Sequence, residues 1–176
     1  ITVFGLFFFY TIHKKNIARK KYRPSGIAVE KFKKKYPGIT DGEIELVWQA
    51  LYSFFEIIRK YRNSGASVEA YMTSVIVDDL WHEMILDTRN YMNFCKRFYG
   101  DYIHHHPGTV TFETDFTNKE VNLDTVKTYG LLKEMKVELF NGLPLLLSVD
   151  EVLGVRNGFR YNRDLLNKQL IEYKAN

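Results

Sequence analysis

The sequence contains a single cysteine, Cys95, and this scarcity excludes two kinds of site. One thiol cannot close an intrachain disulfide, and it cannot supply a zinc site built only from cysteines. The chain also has neither a glycine-rich phosphate loop nor a nucleophile elbow, so the sequence indicates no phosphate-loop enzyme and no α/β-hydrolase. The stretch HEMIL, which begins at His82, lacks the second histidine of a zincin helix and does not predict a metalloprotease.

The composition that is present is that of a globular domain. Hydrophobic residues make up 45% of the 176 residues and charged residues 26%, which excludes wholesale disorder. The length suits one domain and is too short for two full ones. Aromatic residues reach 15%, and we expect them to supply both a core and contacts with a partner.

The net charge of +4 combines two segments of opposite sign. Residues 14–35 carry ten of the 25 basic residues and one acidic residue, Glu30, whereas residues 36–176 carry 15 basic and 20 acidic side chains. The isoelectric point near 9.0 therefore belongs to the N-terminal segment. Because no recognition motif accompanies that segment, we do not expect the protein to bind nucleic acid.

An uncharged apolar run, residues 1–12, lies directly before the basic segment. This run is shorter than the roughly 20 residues that a membrane-spanning helix needs, so by itself it can supply only part of one. We therefore interpret residues 1–13 as the C-terminal part of a transmembrane helix. Basic residues after a span favour the cytoplasmic side and attract anionic headgroups. We predict a single-pass protein of the cell membrane, with residues 14–37 as a basic juxtamembrane linker and residues 38–176 as a cytoplasmic domain. The alternative is a buried N-terminal helix or strand followed by a basic solvated tail.

Hydrophobic periodicity predicts a mostly α single domain of four to five helices. Thr40 and Glu43 have the spacing of a capping box, and we expect Trp48 and Trp81 to be core residues because each lies in an apolar helical stripe. The predicted helices cover about residues 41–62, from Ser67 to about Leu86, from Asp87 or Thr88 to Gly100, from about Leu123 to Phe140, and about 163–174, with a further short segment starting at Ser148.

Titratable residues concentrate around a predicted helix and the loop that follows the next one. Asp78 and His82 are four residues apart and share a helix face, and four of the five histidines fall within residues 82–106. If the two helices form a hairpin, the loop returns near His82. The sequence then predicts a metal site from His82, His104, His105 and Asp78 for a divalent ion such as zinc.

Three interpretations of this cluster stay open. In the first, His82 donates to Asp78 or Asp79 in a structural hydrogen-bond network. In the second, His82 and one or two of the loop histidines bind a metal, with a carboxylate completing or orienting the set. In the third, a His–Asp pair is a general base in a pocket. Cys95 lies among aromatic residues at helical spacing, so we expect a buried small residue there.

An ordered set of residues in this region resembles a known family. It comprises Asp78, Trp81-His82, Tyr91, Phe94-Cys95 and His104-His105-His106-Pro107. The pattern is similar to that of bacterial proteins related to the glycine-rich domain-containing proteins of plants, although the 11 glycines here are scattered. The resemblance covers about residues 68–107 and implies that Trp81-His82 and the second histidine of the loop pair form one constellation. It implies no established reaction.

These observations predict an interaction or accessory subunit of a membrane-associated assembly, since the body is small and no complete catalytic motif is present. Its expected partners are the lipid bilayer and a protein of that assembly, and this role requires no cofactor. The alternative is a small metal-dependent enzyme, hydrolytic in type, that uses His82 and the 104–106 histidine loop.

Overall fold

The computed structural model describes residues 14–62, 71–105 and 115–175. Most of them are helical and form a single domain, which confirms the predicted class. The helices are residues 14–21 (α1), Gly26–Lys35 (α2), Asp41–Arg62 (α3), Val75–Leu86 (α4), Thr88–Tyr99 (α5), Leu123–Glu134 (α6), Leu145–Val152 (α7) and Arg163–Ala175 (α8).

Four two-residue strands complete the described structure. Asp115–Phe116 (β1) pairs in parallel with Arg160–Tyr161 (β4), and Leu139–Phe140 (β2) pairs antiparallel with Leu143–Pro144 (β3). Helix α3 packs against α4, α6 and α7, and α6 packs against α8. Among the described residues, none of the helices has the length and apolar character needed to cross a membrane. The predicted anchor, residues 1–13, lies outside them.

Helix α3 begins where the capping box predicted it. The backbone N–H of Thr40 donates to Glu43 Oε2 at 2.7 Å, and the backbone N–H of Glu43 donates to Thr40 Oγ1 at 3.2 Å. These bonds satisfy donors that a helix start leaves without intrahelical partners. Trp48 and Phe55 follow on the inward face, and both are buried. Trp81 of α4 is buried as well, so the placement of both tryptophans in the core is confirmed.

Helix α4 begins later than predicted. The expected N-cap, Ser67, lies outside the described residues, and the observed N-cap is Ser74, whose hydroxyl accepts from the backbone N–H of Val77 at 3.3 Å. The chain just before Ser74 is not helical, because its backbone bonds elsewhere: the N–H of Tyr71 donates to Thr128 Oγ1 of α6 at 3.0 Å. A long-range contact therefore replaces the helical turn that the sequence indicated.

Helix α6 ends earlier than predicted. We expected helix as far as Phe140, but α6 ends at Glu134, and Lys136 has a φ of 53°, which a helix cannot contain. The next residues form the β2–β3 hairpin, whose connection Asn141-Gly142 has φ values of 51° and 79°. Such values suit a two-residue hairpin turn, so this Asn-Gly pair marks a hairpin and not a helix stop.

The basic segment interpreted as a linker contains α1 and α2. The Ser25 hydroxyl caps α2 by accepting from the backbone N–H of Ala28 at 3.2 Å, and Ala28 and Phe32 are fully buried against the body. In α1, Arg19 Nε lies 2.7 Å from Glu56 Oε1 of α3 in a mostly buried ion pair. These two helices, and α7 around the short segment at Ser148, explain why the described residues hold more helices than the four to five predicted.

Candidate metal centre

Helix α4 places Asp78 and His82 one turn apart on the same face, as their spacing predicted. His82 Nδ1 lies 3.6 Å from Asp78 Oδ2. The start of the helix is fixed by Asp150 of α7, whose carboxylate accepts from the backbone N–H groups of Val75 and Ile76 at 2.8 and 3.2 Å. The face that carries the two polar residues is therefore set by a buried cap at the N-terminus of α4.

The loop after α5 brings a second histidine to this face. His105 Nε2 lies 2.8 Å from Asp78 Oδ1, and the His105 ring is 4.4 Å from the His82 ring. One ligand atom from each of Asp78, His82 and His105 lies within 4.8 Å of the others. This is the group of three metal-ligand residues that the described part of the chain contains. We call these three residues, which are a candidate for holding a metal ion, the metal centre.

A buried hydrogen-bond relay holds the loop in place. Trp81 Nε1–H donates to the Tyr91 hydroxyl at 2.9 Å, and that hydroxyl donates to the carbonyl oxygen of Ile103 at 2.7 Å. Burial raises the pKa of Tyr91, so the hydroxyl keeps the proton that it donates. The His105 ring then meets the Trp81 ring edge-on at 4.5 Å. The loop starts at Gly100, whose φ of 83° suits the residue after a helix end.

The three side chains differ in exposure. The side chain of His105 is 9% exposed, that of Asp78 31% and that of His82 44%. The group therefore has an inner histidine, His105, packed on the core and an outer histidine, His82, facing solvent. A cation held by these residues would be reached by solvent from the side of His82.

Other residues predicted for the site lie elsewhere. His104 is exposed and contacts the Tyr102 ring at 4.9 Å, outside the group of three. His106 lies outside the described residues. Asp79 turns toward α2, where it accepts from the Tyr36 hydroxyl and pairs with the Lys35 ammonium group.

Two features of the site were not predicted from the sequence. The contacts of Asp79 with α2 come from the basic segment, in which we predicted no helix. Tyr91 belongs to the ordered set of residues noted in the sequence, but nothing in the sequence indicated that it connects α4 to the loop. Cys95 is buried, as predicted.

The hydrogen bond that we predicted between His82 and Asp78 or Asp79 is instead made by His105, because His82 Nδ1 lies 3.6 Å from Asp78, beyond hydrogen-bond distance. Asp78 lies beside two of the three histidines predicted for the metal site, His82 and His105, and His104 is not among its neighbours. The distance of 2.8 Å to His105 is that of a hydrogen bond, whereas two ligands of a tetrahedral zinc ion are roughly 3.3 Å apart, given metal–ligand distances of about 2.0–2.1 Å. If His105 moved away from Asp78 by about half an ångström, the two atoms would have the separation of two ligands of one metal ion. His105 lies in a loop, and a loop accommodates such a movement more readily than a helix does.

The chain is thus a helical domain with one carboxylate and two imidazoles grouped on a partly open surface. The family model described as UCP032817-like matches residues 13–175, and the chain belongs to this uncharacterised family. The resemblance to glycine-rich domain-containing proteins, which rested on a motif within residues 68–107, was wrong, because the family model that matches the chain is a different one. Neither the curated proteins nor the solved structures contain a match to this sequence.

Proposed function

We propose that the protein is a small metal-dependent enzyme, hydrolytic in type, whose metal centre is Asp78, His82 and His105. The observation that supports this most is the approach of three ligand atoms from a helix and a loop to within 4.8 Å. Two imidazole nitrogens and one carboxylate oxygen suit zinc and related divalent transition metals. Three protein ligands leave a position for water, which such an ion activates for attack on an ester, amide or phosphate bond.

Metal analysis of the full-length protein tests this proposal. We expect one equivalent of zinc, iron, manganese or nickel in protein purified without chelator, and a lower melting temperature after the ion is removed. An ion that binds only the folded state adds about 2.7 kcal/mol of stability at a free concentration one hundred times Kd. Protein that is metal-free as purified, takes up no added ion and melts unchanged with chelator would contradict the proposal.

Single substitutions separate the metal centre from a structural network. His82→Ala and His105→Ala should each abolish stoichiometric metal and the effect of chelator on melting, because two remaining ligands bind weakly. His104→Ala is the matched control, since this neighbour on the same loop lies outside the centre. If Asp78 and the histidines form only a hydrogen-bond network, His105→Ala costs about 1–3 kcal/mol whether or not metal is present.

The membrane association predicted from the sequence is a further proposal. An uncharged apolar run at residues 1–12 precedes α1, and Lys14, Lys15, Lys20 and Lys21 of α1 are exposed. The interaction or accessory role, with a protein partner in a membrane assembly, also stays a prediction. We retain the cell membrane, with the main domain cytoplasmic, as the expected location.

The anchor is tested by washing membranes that contain the full-length chain. We expect the protein to remain bound in high salt and at alkaline pH, because an apolar segment in the bilayer core does not depend on charge. A shortened chain should begin at Lys14 and not near Tyr36, since the latter cut would remove Ala28 and Phe32 from the core. Release of the full-length protein by salt alone would show that the contact is electrostatic.

A further inference from the structure

Tyr91 connects the helix and the loop that together supply the metal centre. Its hydroxyl accepts from Trp81 Nε1 at 2.9 Å and donates to the Ile103 carbonyl at 2.7 Å. Trp81 is the neighbour of His82 in α4, and Ile103 lies two residues before His105. One hydroxyl therefore fixes the two backbone segments from which both histidine ligands arise.

The loop is also held by ring contacts, since Tyr102 meets the Tyr91 ring at 5.2 Å and His105 meets the Trp81 ring at 4.5 Å. It leaves α5 at Gly100, and within the described loop only Ile103 is buried as a hydrophobic anchor. The Ile103 side chain fixes the depth of the loop, but a hydrophobic contact has no direction and does not set the rotation of the backbone. The hydrogen bond from Tyr91 to the Ile103 carbonyl does set it. That rotation decides whether His105 or its exposed neighbour His104 faces Asp78.

We infer that Tyr91 is a positioning residue for the metal centre, and that its hydroxyl selects His105 as the loop ligand by holding the Ile103 carbonyl. The inference rests on the proposed function, because it concerns the ligand set of that centre. Tyr91 is not one of the three residues of the metal centre and acts through Trp81 of α4 and Ile103 of the loop, to which its hydroxyl is bonded. Residues that orient metal ligands typically change metal affinity by about 10–100-fold when they are replaced.

Tyr91→Phe tests this inference because it removes the hydroxyl and keeps the ring. We expect full-length Tyr91→Phe to bind cobalt(II) about tenfold more weakly than the parent, with a changed visible absorption spectrum that reports an altered ligand geometry. The matched control is Tyr129→Phe, in which another buried tyrosine loses a hydroxyl that donates to Asn167 at 2.8 Å between α6 and α8. This control should melt at a lower temperature and keep the parent's affinity and spectrum.

A second substitution reaches the same loop from its exposed end. Gly100→Ala forces a side chain onto a residue with a φ of 83°, so it should rotate the start of the loop and also weaken cobalt binding. If Tyr91→Phe does not fold, this variant still tests whether rotation of the loop selects the ligand, and parental cobalt affinity in it would contradict the inference. Parental affinity and spectrum in Tyr91→Phe would overturn the inference while leaving the metal centre intact. Failure of the parent itself to bind cobalt would instead overturn the proposed function.

Discussion

Replacing Asp150 with alanine is expected to lower the free energy of unfolding by about 4 kcal/mol or more. The Asp150 carboxylate is 2% exposed and accepts four hydrogen bonds, from the hydroxyl of Ser74 and the backbone N–H groups of Val75, Ile76 and Phe159. Each buried donor left without an acceptor costs about 1–3 kcal/mol. Chemical denaturation of the parent and the variant, with the slope compared as well as the midpoint, measures the loss.

The carboxylate is also well suited to its place by charge. It lies at the N-terminus of α4, where the helix dipole favours a negative group. Burial raises the pKa of Asp150, and the hydrogen bonds from Ser74, Val75 and Phe159 oppose that rise. Glu151→Ala is the matched control, because Glu151 is the exposed next residue and should change stability by less than about 0.5 kcal/mol. A loss in Asp150→Ala no larger than in this control would contradict the assigned role.

Asp150 also illustrates which helix limits could be predicted from the sequence. The start of α3 was predictable because its capping groups, Thr40 and Glu43, are three residues apart. The start of α4 was not, because the acceptor that completes its cap lies more than 70 residues further along the chain. Helix α2 was missed for a different reason. Only Ala28 and Phe32 of its ten residues are buried, and two apolar residues among many charged ones are too few to show a helical hydrophobic period.

The candidate site was likewise predictable where it depends on local spacing, and not where it depends on tertiary contacts. Helical spacing alone places Asp78 and His82 on one face, and the hairpin of α4 and α5 returns the histidine loop to them. Spacing does not distinguish His104 from His105, since adjacent loop residues have no fixed period. The choice between them depends on Tyr91 and on burial of Ile103, which are tertiary contacts. The residue types and their spacing thus indicated a cluster of histidines and aspartates, and tertiary packing determined which loop histidine belongs to it.

The two tryptophans provide the second large expected effect and a test that joins fold and site. Trp81→Ala and Trp48→Ala should each destabilise the protein by about 3–5 kcal/mol, because each removes a buried ring of the same size. Trp81 packs against Phe54 and Phe55 at 5.4 and 5.5 Å and meets His105 at 4.5 Å.

The two variants should differ in metal binding. Trp48 packs against Tyr22, Phe55 and Phe94, on the side of the core formed with α5 and the residue after α1. We therefore expect Trp81→Ala to lose metal affinity per folded molecule and Trp48→Ala to keep it. Cobalt titration below the melting temperature of each variant, with the folded fraction measured by circular dichroism, separates the two. Equal affinities would mean that His105 keeps its position without the Trp81 ring, and that the contact between these two rings is not needed for metal binding.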